Sequence, residues 1–479
     1  MHILLAVSEV APYAKTGGLA DVASALPKAL AALGEQVTVV MPRYGFIHTG
    51  EEVWYNLPVP FAHTIKHIRL FRESLGKATI YWIDTPEYFS RGKAIYGESD
   101  DPERFAFFCR AVLEVARWLG TPPDIIHCND WMTGLIPVYL RTVYATDPYF
   151  AGTATLLSIH NLAFQGLFSP SQLPRFGLSM ELNTTDGGLE FRGTASMLKG
   201  GLVATDAIST VSKKYAQEIQ TSEYGFKMEG LLHARRHDLI GILNGVDYDV
   251  WNPATDKNIA ANYSMGDLSG KRMCKADLLS HFHLPHELDR PLIAVVSRIS
   301  DQKGFDLIRD VSGRMLQAGA FFVLLGSGDS QYENFFQRLR DFAPHRVGVY
   351  FGFNNELAHR IEAGADIFLM PSWFEPCGLN QIYSLKYGTI PIVRATGGLD
   401  DTIQDFDRIT RTGNGFKFRA YRADRLIEKI YEALLLYNDQ DLWKSIMLNG
   451  MKANHSWEVA AHEYLDVYRI LKHTIRERM

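Results

Sequence analysis

The chain has 479 residues and is 47% hydrophobic and 22% charged. That length exceeds what a single hydrophobic core organises, so two domains are expected. The formal net charge of -5 excludes a global attraction to nucleic acid or to anionic membranes, so any anion site must be local, made by particular Lys, Arg and backbone groups.

In chain order, the apolar run Ile3-Leu4-Leu5-Ala6-Val7 predicts a buried parallel strand near 3–8. Lys15-Thr16-Gly17-Gly18-Leu19-Ala20-Asp21 follows and opens a helix, because Leu19, Val22, Ala23, Leu26, Leu30 and Leu33 recur at three- and four-residue spacing. Two adjacent glycines at a strand-to-helix turn let backbone N–H groups approach an anion, and Lys15 adds a positive charge beside them. A strand near 36–41 comes next, then the segment 52–84, whose alternation predicts extra, partly antiparallel strands. A helix over 103–119 follows from Phe105, Phe108, Cys109, Val112, Val115, Ala116 and Leu119 on one face. Strands near 124–128, 153–159 and 207–211 complete the first half. The turn-rich stretch Asn244 to Pro253 reads as a connection, which divides the chain into 1–243 and 244–456. The second half repeats the theme with strands near 292–297, 320–325, 347–351, 366–370 and 390–393. A last helix, about 457–475 within the segment 457–479, is long enough to pack back on the first half. Alternating strands and helices imply an α/β fold of two Rossmann-like, doubly wound domains, expected to face each other across a cleft at their strand carboxyl ends.

The residues with chemistry fall at those strand ends. Lys15, Arg298 and Lys303 form a cationic set; a departing diphosphate gains charge as its bond to a sugar breaks, and fixed cations and N–H donors stabilise it. Glu375, in Glu375-Pro376-Cys377-Gly378-Leu379, can present its oxygens to sugar hydroxyls, or can simply be a helix N-terminal charge. His127-Cys128-Asn129-Asp130-Trp131 and His160-Asn161 follow two neighbouring strands; a histidine there is either structural or part of a site, and Trp131 either stacks on a sugar or belongs to the core. Thr396-Gly397-Gly398-Leu399-Asp400-Asp401 nearly copies the first glycine motif. There is no G-x-x-x-x-G-K-[ST], and Gly326-Ser327-Gly328 lacks the third glycine of a nicotinamide fingerprint. The D-x-D triplets at 247–249, 405–407 and 439–441 end no expected core strand, so no metal is assigned. Cys109, Cys128, Cys274 and Cys377 contain no C-x-x-C pair, which fits a reducing compartment. No apolar run approaches the roughly 20 residues that span a bilayer, and a first strand at residue 3 leaves no room for a leader, so the expected location is cytoplasmic.

Taken in order, K-T-G-G-L-A-D after Ser8-Glu9, H-C-N-D-W, H-N, N-G-V-D, S-R-x-x-x-Q-K-G, E-P-C-G-L and T-G-G-L resemble the bacterial glycogen synthase and plant starch synthase family from residue 1 to about 470. The resemblance implies a GT-B retaining glycosyltransferase that moves glucose from ADP-glucose to the non-reducing end of an α-1,4-glucan, with no cofactor and no required metal. It implies that Lys15 and Gly18 contact the donor with Asp21 supporting the loop, that His160 lies beside the transferred glucose, and that Asp130 lies on the acceptor side. Asn244 then sits at the reaction centre, Arg298 and Lys303 grip the diphosphate, and Glu375 holds glucose hydroxyls. Cys377, Gly378 and Leu379 line the same pocket, Thr396, Gly397 and Gly398 add backbone donors to phosphate, and Phe353 stacks on adenine. Two positions depart from wider patterns. Met132 stands where many relatives have His, and Tyr383 stands where broader GT-B families carry a second Glu, though glycogen and starch synthases also tend to have Tyr there. The alternatives are a GT-B enzyme with a UDP-glucose donor or a small-sugar acceptor, a non-catalytic glucan-binding homologue, and, disfavoured by the missing fingerprint, a nicotinamide dehydrogenase.

Overall fold

The computed structural model describes residues 1–92 and 94–478. The chain divides into two compact units. One comprises 1–211, 216–245 and the C-terminal helix Trp457–Arg478; the other comprises 212–215 and 246–456. Residues 212–215, which a division at 243 leaves in the first domain, group with the second unit.

The first unit is built on β1 (His2–Ala6), β2 (Gln36–Pro42), β3 (Glu51–Phe61), β4 (Thr64–Leu75), β5 (Ala78–Asp84), β6 (Ile125–Asn129) and β7 (Ala154–Ile159). A small separate sheet follows, β8 (Leu167–Phe168), β9 (Glu190–Phe191) and β10 (Thr194–Ser196), and β11 (Ala207–Thr210) and β12 (Leu239–Gly241) return to the main one. The main sheet runs β12-β11-β7-β6-β1-β2-β5-β4-β3. All its pairings are parallel except those of β4, which is antiparallel to both neighbours, so the alternating segment 52–84 forms the mixed edge expected of it. β1, β6 and β7 are buried along their whole length, as continuous apolar runs covered on both faces must be. The helices α1 (Gly18–Ala32) and α2 (Asp101–Trp118) and the C-terminal helix supply the cover. His127 on β6 secures that last helix: its ring nitrogens lie 2.8 Å from the Tyr468 hydroxyl and 2.6 Å from Ser158 Oγ. Burial drives the pKa of His127 down to about 3, so this ring is a neutral structural bridge.

The second unit holds one parallel sheet of β13 (Leu292–Val296), β14 (Phe321–Gly326), β15 (Val347–Phe351), β16 (Ile367–Met370), β17 (Ile390–Arg394) and β18 (Phe416–Phe418), in the order β15-β14-β13-β16-β17-β18. Its helices include α3 (Ser269–His281), α4 (Phe305–Gln317), α5 (Asn355–Gly364), α6 (Asn380–Lys386) and α7 (Gly397–Thr402). Strand residues alternate between two cores. Ile293, Val295, Phe322 and Leu324 pack with Ile308 and Val311 of α4, while Leu292, Ala294, Phe321 and Val323 pack with Leu278 of α3 and Ile361 of α5. That division is what makes the unit doubly wound. The short strands β8, β9, β10, β12 and β18 are absent from the sequence reading, since two or three residues carry no period. Among the described residues no helix is long and apolar enough to cross a membrane.

Candidate active site

In the first unit, the loop after β1 carries Lys15, Thr16, Gly17 and Gly18, all exposed. Lys15 Nζ lies 2.6 Å from Asp21 Oδ1 in the first turn of α1, an ion pair that restrains the lysine. A Cβ built on Gly17 or Gly18 meets nothing within 4 Å. No side chain or backbone packs against the outer side of these two glycines.

Behind it, β6 and β7 present Asn129, Asp130 and His160. Asn129 is oriented by its Nδ2, which donates to the carbonyls of Ala6 and His127 at 3.2 and 3.3 Å. Its Oδ1 is therefore the acceptor for His160 Nε2 at 2.9 Å, which places the ring proton on Nε2. Burial lowers the His160 pKa to about 4, so the imidazole is neutral at pH 7. Asp130 takes a positive φ of 54°, uncommon for a residue with a Cβ. That turn aims its Oδ1 at the backbone N–H of His160, 2.7 Å away, and Asn161, 3.5 Å away. Burial raises the Asp130 pKa to about 7, against the lowering effect of those two bonds. Asp130 thus fixes the corner that carries His160. Trp131 is half-buried and packs edge-on against Phe105 at 5.1 Å, while Met132 is buried. Asn244, after β12, is buried, and its Oδ1 has no hydrogen-bond partner among the described residues.

In the second unit, Arg298 is exposed on the loop after β13. Lys303 Nζ lies 2.6 Å from Glu375 Oε2, which also accepts from Ser372 Oγ at 3.1 Å. The lysine side chain is 18% exposed and the carboxylate 7%, so the pair is largely dehydrated yet reachable from solvent. Two loops are zipped together to hold it: Trp373 N–H donates to the Gln302 carbonyl at 2.9 Å, and Gln302 Nε2 donates to the Phe374 carbonyl at 3.3 Å. Gly304, at φ +76°, permits this approach, since a Cβ there would stand 2.3 Å from the Pro371 carbonyl oxygen. Cys377 is buried, Gly378 takes φ +70°, and Leu379 caps α6. Phe353, past β15, is 84% exposed.

Tyr383 on α6 is not a lone pocket residue. Its ring stacks on Trp251 at 3.9 Å, and the other face of Trp251 stacks on His359 at 3.7 Å, both within 6° of parallel. Asp256 Oδ2 holds His359 Nδ1 at 2.7 Å and accepts from the Tyr387 hydroxyl at 2.5 Å.

The near-copy at 396–398 overturns one expectation. Gly397 and Gly398 are buried, and Cβ atoms there would stand 1.9 Å from the Glu375 carbonyl oxygen and 2.0 Å from that of Cys377. The Gly398 N–H donates to the Glu375 and Pro376 carbonyls, 3.2 Å from each, so it is not a free donor for phosphate. The second glycine pair exists to let its turn press against the Glu375–Cys377 backbone.

The sequence reading gave no role to Glu9, Thr16, Tyr96, Trp251, Asp256 or His359. Their roles rest on contacts that no spacing signals, although Glu9, Thr16 and Trp251 fell inside motifs already quoted. Among the described residues no three His, Cys, Asp or Glu side chains converge as metal ligands would. All four cysteines are free and buried.

Comparison with known proteins adds the following. The family described as starch synthase catalytic domain matches residues 2–234, and the glycosyl transferases group 1 family matches residues 279–446. The chain is 48% identical to a glycogen synthase of Koribacter versatilis (strain Ellin345), over 98% of each chain. Among solved structures it is similar to the catalytic domain of starch synthase IV from Arabidopsis thaliana bound to ADP and acarbose, at 32% identity and a TM-score of 0.91, covering 98% of this chain and 99% of that one. A sucrose-phosphate synthase from Thermosynechococcus elongatus shares the fold at 18% identity and a TM-score of 0.61, with 98% of each chain covered.

Proposed function

The chain belongs to the glycogen and starch synthase family, and we propose that it extends an α-1,4-glucan at its non-reducing end with glucose from ADP-glucose. It is a retaining glycosyltransferase of the GT-B class, built on two doubly wound α/β units. The observation that carries the donor reading is that Lys15, Arg298, Lys303 and Glu375 all stand on loops that follow parallel strands, where α/β folds bind their ligands. The likeness to a starch synthase bound to ADP and acarbose supports the choice of nucleotide and of a glucan-like acceptor.

In this reading Lys15 and the Gly17–Gly18 turn meet the donor diphosphate, and Arg298 and Lys303 neutralise the charge it gains as the glycosidic bond breaks. Glu375, held by Lys303 and Ser372, receives glucose hydroxyls. Neutral His160 offers a hydrogen bond beside the sugar without adding charge. The unpartnered Oδ1 of buried Asn244 supports its place at the reaction centre, because an unmade bond there costs about 1–3 kcal/mol until a ligand donor supplies it. Exposed Phe353 serves as the adenine platform. We assign the diphosphate to these cations and to no metal, and we place the enzyme in the cytoplasm, in keeping with its four free thiols.

Retention by double displacement needs a carboxylate nucleophile opposite the leaving group. The motifs nominate no residue for that role, and Glu375 is already engaged with Lys303. We therefore favour same-face transfer, in which the departing diphosphate helps deprotonate the incoming hydroxyl and the protein supplies orientation. Isolation of a glucosyl ester on Asp or Glu would refute that route. The donor and acceptor are tested by competition between labelled ADP-glucose and UDP-glucose with glycogen present. Label entering polymer from ADP-glucose is the expected result; label from UDP-glucose, or in a small sugar, would replace this reading.

A further inference from the structure

Glu9 stands three residues beyond β1 and is buried, 3% exposed. Its Oε1 accepts from the Thr16 hydroxyl at 2.8 Å and from the Tyr96 hydroxyl at 2.5 Å. Its Oε2 accepts from the Thr16 backbone N–H. The Tyr96 hydroxyl also meets Ser8 Oγ at 2.7 Å, which ties the same carboxylate to the end of β1. Thr16 lies between Lys15 and Gly17, in the stretch whose outer side is bare. Glycines give up the most backbone freedom on ordering, so an unpacked glycine turn needs an external anchor to hold one conformation. The double bond from Thr16 to Glu9 is that anchor, applied from the protected side.

A direct role toward the donor does not fit this residue. A negative charge beside a diphosphate repels it, and both carboxylate oxygens are already engaged by Thr16 and Tyr96. We propose that Glu9 is a positioning residue for glucosyl transfer, fixing the backbone at Thr16 so that Lys15 and the Gly17–Gly18 N–H groups are set before the donor arrives. The proposal rests on the reading of Lys15 as a diphosphate contact and adds to it the group that pre-organises that contact.

The test is a double-mutant cycle on kcat/KM for ADP-glucose, with Lys15→Ala, Glu9→Ala and both together. Glu9→Ala is expected to lower kcat/KM by about 10²-fold, the scale of a small misplacement of reacting groups. In the Lys15→Ala background the same change costs on the order of 10-fold, because one of the groups it positions is gone and only the Gly17–Gly18 N–H groups remain to be set. An equal loss in both backgrounds overturns the proposal and leaves the donor reading standing; a silent Lys15→Ala overturns both. Glu9→Gln separates geometry from charge. Its amide oxygen can take the Thr16 N–H while its NH₂ donates to the two hydroxyls, so kcat/KM stays within about 5-fold of wild type. A Gln variant as poor as the Ala variant refutes positioning. Should Glu9→Ala fail to fold, exposed Thr16→Val, which removes one bond of the clamp, carries the same cycle with a loss of about 5-fold.

Discussion

The two Thr-Gly-Gly-Leu turns, at 16–19 and 396–399, are the same four letters put to opposite uses. At 17–18 the space beside the glycines is empty, the residues are exposed, and a buried carboxylate holds the turn from behind. At 397–398 that space is filled by the carbonyls of Glu375 and Cys377, and the Gly398 N–H is engaged by the chain itself. One turn is left bare on its outer side. The other is a spacer that lets two loops of one unit touch. A glycine pair after a parallel strand therefore says that something comes close; whether that is substrate or backbone is decided elsewhere in the chain.

Substitution should separate the two uses. The largest effect is expected from Gly398→Ala, whose methyl group has nowhere to go against a backbone carbonyl; a loss above about 3 kcal/mol, read as a collapsed melting temperature, follows from the overpacking. A folded, active Gly398→Ala protein would erase the distinction. Next comes Lys15→Ala. Removing a fixed cation at a developing charge costs about 2–4 kcal/mol of transition-state stabilisation with little change in melting, since its partner Asp21 is a partly exposed ion pair. Phe353→Ala is expected to raise the KM for ADP-glucose by the worth of one stacked base, about 1–2 kcal/mol, and to leave melting untouched because the ring is so exposed.

Asp130→Asn probes the hydrogen-bonded corner of the first unit by pH. The folded pKa of Asp130, about 7, lies above the ordinary carboxylate value, so the folded state holds its proton longer than the unfolded one. Its contribution is full below about pH 4 and is lost as pH rises through 7. The stability of Asp130→Asn relative to wild type should therefore improve by on the order of 4 kcal/mol between pH 4 and 7.5, measured by denaturant melts. A difference that stays flat, or grows in favour of wild type, would show that Asp130 ionises freely. The smallest effect belongs to Gly17→Ala: melting within about 0.5 kcal/mol of wild type, with kcat/KM reduced because the methyl group faces the ligand side.

Much of this was legible in the chain. Continuous apolar runs marked the buried parallel strands, helical periodicity marked α1 and α2, and the alternation over 52–84 marked the mixed sheet edge. The residues nominated for chemistry fall on loops at strand ends, and Lys303 and Glu375, 72 residues apart, do meet. What was not legible depends on distant partners. Trp251 stacks between Tyr383 and His359 although more than a hundred residues separate it from either, and no period or spacing signals that. The environment of Gly398 was misread for the same reason: its motif resembles the first, while its neighbours come from the Glu375 loop. Asp130 gave no sign that its carboxylate would turn inward to cap His160 and Asn161.

The C-terminal helix carries a consequence for the newly made chain. Because its Tyr468 completes the hydrogen bonding of His127 on a central strand, the first unit cannot complete its core until residue 468 has left the ribosome. The second unit's sheet and helices lie within one uninterrupted stretch, so it can mature while its older neighbour is still waiting. Truncation from the far end would thus injure the part that was synthesised first.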